Sequence, residues 1–92
     1  MNIAKPPGGF NIVVTPPVQA FVDDLFAHHP ELPRHWRAVL DRLRQAAHTM
    51  GEAIDGHPGQ RAAIVQPFHN GPNIWLAWRV LGDTVTILRA DL

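Results

Sequence analysis

The chain has 92 residues, no cysteine, and eight Lys and Arg against eight Asp and Glu. That length holds one small domain, and the missing thiols exclude disulfides, thiolate metal sites and thiol catalysis. A formal net charge of zero argues against a strongly basic nucleic-acid binder, and a sequence without serine excludes serine catalysis.

Hydrophobic residues outnumber charged ones, 46% against 17%, so the chain is globular. No apolar run approaches the roughly 20 residues of a membrane-spanning helix. The N-terminus lacks the apolar stretch of a secretory signal. The expected location is the cytoplasm.

Residues 1–9 read as a mobile leader, because Pro6-Pro7-Gly8-Gly9 continues neither helix nor sheet. Residues 10–92 form the single domain. Phe10–Val14 is a short strand, β-branched and aromatic, ending at Thr15-Pro16-Pro17. Thr15 before Pro16 predicts a helix start, with the threonine hydroxyl accepting from an orphan N–H. Val18, Phe21, Val22, Leu25 and Phe26 then make one helical stripe. That helix should stop near His29, before Pro30.

A second stripe follows at Trp36, Val39, Leu40, Leu43, Ala47 and Met50. Pro33 suits its first turn and Gly51 its C-terminal cap. The short link between the helices predicts a helical hairpin. Gly51–Gln60 reads as a loop, and Arg61–Gln66 as a strand ended by Pro67.

Ile74–Leu81 and Thr84–Ala90 are strands joined by Gly82-Asp83, a pair that suits a type II′ turn. A two-residue loop sets Leu81 opposite Thr84, Val80 opposite Val85, Arg79 opposite Thr86, Trp78 opposite Ile87 and Trp75 opposite Ala90. Leu76, Trp78, Val80, Val85 and Ile87 then share a core face. Trp75, Ala77, Arg79, Thr86 and Leu88 share the other, which is mixed and partly open. The expected fold is an α+β two-layer sandwich, β-α-α-β-β-β. Its helical hairpin packs on one face of a mostly antiparallel four-stranded sheet.

This order resembles the RelE/ParE superfamily of bacterial toxin–antitoxin toxins. The resemblance is carried by the strand and helical hairpin of Phe10–Met50 and by the segment Asn73–Leu88. Trp78 matches the family's second aromatic, Gly82-Asp83 its turn and Val85–Leu88 its apolar strand. It implies a toxin that inhibits translation or DNA gyrase and is neutralised by a cognate antitoxin. The departures are specific. Trp75 stands where the family has an arginine, Ala62–Gln66 contains no lysine, and the chain has no tyrosine. The family's basic, catalytically important tail would follow about where Leu92 falls. No catalytic residue carries over one by one, so mRNA cleavage is disfavoured.

The residues themselves offer a candidate site on the open face. Arg79 with Trp75 is suited to hold a phosphate and stack a base, with Thr86 opposite Arg79. Arg61 and Arg89 lie near strand ends and are candidates to join them. His69, in the turn beside the sheet, is a candidate general acid or base. An arginine on a solvated face and a plain loop histidine are the simpler structural readings of the same residues.

His28, His29, His35, His48 and His57 lack metal-ligand spacing, so neither a metal nor a cofactor is expected. Arg34, Arg37, Arg42 and Arg44 read as an exposed helix face. Beyond residue 60, Arg61, Arg79 and Arg89 stand against Asp83 and Asp91, a surplus too small for tight electrostatic capture of RNA. Two functions follow as expectations: a toxin-like component of a toxin–antitoxin module, or a non-enzymatic protein-binding module on the same scaffold. The expected partners are an antitoxin and, as targets, the ribosome with its mRNA or DNA gyrase.

Overall fold

The computed structural model describes residues 5–92. It is an α+β fold of two helices and one mixed sheet. In chain order the elements are β1 (Asn11–Val14), α1 (Pro16–His28), α2 (Leu32–Ala46), β2 (Glu52–Ala53), β3 (Gln60–Val65), β4 (Ile74–Leu81) and β5 (Thr84–Asp91). The sheet runs β1-β5-β4-β3-β2, antiparallel except where β1 pairs parallel with β5. The sheet therefore has five strands, not four. The extra one, β2, lies inside the segment expected to be loop. It has only two residues, too few to carry a periodic pattern.

Both helices follow their apolar stripes. Val18, Val22 and Leu25 of α1 and Trp36, Val39 and Leu43 of α2 are buried against one side of the sheet. Leu32, outside the expected stripe, is fully buried at the start of α2. Helix α1 starts after Thr15, but the threonine does not cap it. Its Oγ1 donates instead to the Ile87 carbonyl at 2.8 Å, tying the helix start to β5. Helix α2 ends at Ala46, earlier than its stripe suggests. Thr49 and Met50 then return N–H bonds to the Ala46 carbonyl in a tight turn. Gly51 lies beyond that turn at φ 64, where a Cβ would collide with the Ala62 carbonyl.

The β4–β5 hairpin keeps the expected register from the turn as far as Trp78 and Ile87. Gly82 has φ 60, as a type II′ turn requires at its first central position. Beyond that point a bulge intervenes. Ala77 pairs with Arg89 and Leu76 with Ala90, so Trp75 faces Asp91 rather than Ala90. The extra residue, Leu88, moves Arg89 onto the same side as Ala77.

Leu76, Trp78, Val80, Val85 and Ile87 are all buried under the helices, as the alternation predicts. The Trp78 indole N–H donates to the Ala47 carbonyl at 2.9 Å, which pins the end of α2 to the middle of the sheet. Part of the expected leader is also fixed. Lys5 Nζ donates to Gln45 Oε1 at 3.0 Å, Gly9 N–H to Pro6 O, and Phe10 N–H to Arg44 O at 2.8 Å. Gly9 packs so closely on Arg44 that a Cβ there would meet its side chain and its carbonyl. Residues 1–4 of the leader lie outside the described residues.

Candidate functional site

The helices cover one side of the sheet, and no element of the described residues covers the other. Register assigns the residues of this open side. Asn11 and Val13 come from β1, and Thr84, Thr86, Arg89 and Asp91 from β5. Trp75, Ala77, Arg79 and Leu81 come from β4, and Gln60, Ala62 and Ile64 from β3. Ala77 is buried at the centre, closed in by its cross-strand neighbours Ala62 and Arg89.

The large apolar side chains left exposed are informative. Ile64 is 71% exposed, Leu81 70% and Val13 47%. All three lie on this side. Ile64 stands directly across from half-buried Trp75. Together with Ala62, Ala63 and residues of β2 they line a groove of about 480 Å³. The sequence of β3 has no turn that assigns its faces, so Ile64 does not stand out from pattern alone. Parity of pairing with β4 is the signal that finds it.

The expected Arg79 and Trp75 site is not assembled. The two residues stand four apart on β4, about 13 Å at the usual strand rise. Arg79 is exposed between Gln60 and Thr86, its cross-strand neighbours. The cation that Trp75 does meet is Arg89, whose guanidinium carbon lies 5.5 Å from the ring centroid. Arg89 also pairs with Asp91 at 3.2 Å. The bulge makes this trio, because it sets Asp91 across from Trp75 and Arg89 across from Ala77.

Arg61 lies on the helix side, opposite Trp78. Its Nε donates to Met50 O at 2.6 Å, and one terminal nitrogen donates to Gly51 O at 3.0 Å and Thr49 O at 3.3 Å. These carbonyls belong to the turn that follows α2 and to Gly51 just after it. The arginine fork fits them as a structural clasp, away from any open-face ligand.

His69 is exposed in the turn that leads into the start of β4, whereas Arg79 stands near the end of that strand. The structure does not bring the two together. Three of the other histidines have local side-chain contacts. His28 Nδ1 lies 3.0 Å from Asp24 O, His35 stacks on Phe68 at 4.9 Å, and His48 packs on Phe10 at 5.4 Å. Among the described residues no group of three metal-ligating side chains gathers. Arg44 on α2 pairs with Asp41 at 2.6 Å, both exposed.

The open side offers apolar side chains, one stacked Trp–Arg pair and one separate arginine. No described nucleophile, base and oxyanion donor converge there. No helix of the described residues is long and apolar enough to cross a membrane. No protein-family model, no curated protein and no solved structure matches the chain.

Proposed function

We propose that this chain is a toxin-like component of a bacterial toxin–antitoxin module that works by binding protein rather than by cutting RNA. The observation that carries the reading is the uncovered sheet face, with Ile64 exposed across from Trp75 near one end of β4 and Leu81 exposed at the other. A sheet face with no covering layer and large apolar side chains toward both ends is a surface on which a protein partner would pack. The antitoxin-like partner and the cellular target would compete for this face. DNA gyrase fits as the target better than ribosome-bound mRNA, because the four residues named for catalysis lie apart: Arg61 clasps a turn, Arg89 is paired, and Arg79 and His69 stand at opposite ends of β4.

The element order and the β4–β5 hairpin pattern support the RelE/ParE-like scaffold. The absence of tyrosine from the chain and of lysine from Ala62–Gln66 supports the protein-directed reading within it. A non-enzymatic regulator on the same scaffold shares the docking face and differs in being harmless alone. Induced expression of the chain by itself in a bacterial host separates them. Growth arrest with mRNA left intact is the expected result. Unchanged growth at high soluble expression would remove the toxin reading and leave the regulator.

A further inference from the structure

The chain contains two places where an acidic or amide residue precedes glycine, Asp55-Gly56 and Asn70-Gly71. At such pairs the glycine nitrogen can attack the preceding side-chain Cγ and close a succinimide ring. The N–Cγ bond forms and the amide proton is lost. From a protonated aspartic acid the Cγ–O bond breaks and water leaves; from asparagine the Cγ–N bond breaks and ammonia leaves. Water then opens the ring at either carbonyl, giving aspartate or isoaspartate. Aspartate is thereby isomerised without a change of mass, and asparagine is deamidated with a gain of one negative charge. In an unfolded chain the asparagine site reacts faster, because a carboxylate is a poor electrophile.

The fold treats the two sites differently. The Gly71 N–H donates to Phe68 O at 2.9 Å, which occupies the attacking nitrogen. Gly71 is also held against the Phe68 ring, where a Cβ would lie 2.9 Å from the nearest carbon. Asn70 itself is fixed at φ 62. Attack at this site requires the turn to open first.

Gly56 has none of these restraints. It has φ 77, with nothing within 4 Å of the position a Cβ would take. The His57 N–H donates to Ile54 O at 3.2 Å, which closes a β-turn with Asp55 and Gly56 at its centre. The positive φ at the second central position marks a type II turn. Its central peptide, the one joining Asp55 to Gly56, takes no part in the closing bond. Among the described residues the Gly56 N–H donates to no backbone carbonyl, and Asp55 is exposed.

We propose that Asp55 is a site of spontaneous isomerisation to isoaspartate in the native protein, and that the fold protects Asn70, reversing their intrinsic order. The product adds a methylene to the backbone in the wall of a pocket of about 410 Å³, which Asp55 shares with His48, His57 and Arg61. Ageing at this one peptide bond therefore reshapes that pocket.

The test incubates the purified full chain at neutral pH, native and in denaturing urea, and maps isoaspartate and deamidation by peptide mass and isoaspartyl methyl transfer. In the native protein isoaspartate should accumulate at residue 55 several-fold faster than residue 70 is modified. In urea the order should reverse. Asp55→Glu, which cannot close the five-membered ring, should abolish the native signal while leaving thermal stability unchanged. Native deamidation of Asn70 as fast as in urea, absence of isoaspartate at 55, or a signal that survives Asp55→Glu would each overturn the proposal.

Discussion

The Arg61 guanidinium is bound to the Met50 carbonyl, Nε to oxygen 2.6 Å, with Gly51 O and Thr49 O on its terminal nitrogen. One side chain from β3 thus collects the carbonyls of the turn that follows α2. Hydrogen bonds from a charged donor contribute about 1.5–3 kcal/mol. Arg61→Met should lower unfolding stability by about that much in urea titration. Arg61→Lys should not restore it, because an ammonium lacks the planar fork that reaches three acceptors. Full recovery with lysine would show that charge alone matters here.

Trp78 holds the same region from the sheet side. Its ring is fully buried, and its indole N–H reaches Ala47 O at 2.9 Å. Trp78→Phe keeps most of the apolar volume but leaves that carbonyl unpaired, at a cost of about 1–3 kcal/mol. Trp78→Ala adds a cavity and should cost about 3–5 kcal/mol, enough to unfold a domain this small at moderate temperature. Thermal denaturation followed by circular dichroism distinguishes the two.

Trp75 and Arg89 form the one stacked cation pair of the open face. The pair is partly exposed, so Arg89→Ala should cost only about 0.5–1 kcal/mol. It should also change the tryptophan emission spectrum, since the cation over one of the three indoles is lost. Arg79→Ala, four residues from Trp75, should alter neither emission nor stability beyond about 0.5 kcal/mol. Equal spectral effects from both variants would contradict the separation of the two arginines.

Much of this fold is legible in the sequence wherever the pattern is local. The stripes from Val18 to Phe26 and from Trp36 to Leu43 locate both helices. The Gly82-Asp83 turn fixes the hairpin as far as Trp78. What escapes is decided by contacts distant in sequence. The parallel pairing of β1 with β5 joins strands separated by both helices and three further strands, and residues 11–14 carry no local mark of it. The bulge at Leu88 shifts Arg89 and Asp91, and no turn residue announces it.

The candidate site suffered most from this. Whether Arg61 points up or down depends on a one-residue register choice in β3, and only its pairing with Trp78 settles it. The same parity puts Ile64 on the open side. Arg61, a candidate for the open face by sequence, is thus a clasp on the helix side, and Ile64 is the most exposed large apolar side chain of the open face.

If the uncovered sheet face docks protein, paired charge substitutions at Ile64 and Leu81 should abolish its effect in the cell. Ile64→Asp with Leu81→Asp alters two side chains that are already about 70% exposed, so unfolding stability should fall by no more than about 1 kcal/mol per site, the cost of lost strand propensity and of the Ile64–Trp75 pair. The measurement is growth after induction of wild type and of this double variant at matched soluble levels. Arrest by the wild type and normal growth with the folded double variant are expected. Arrest of equal strength by the double variant would contradict docking at this face.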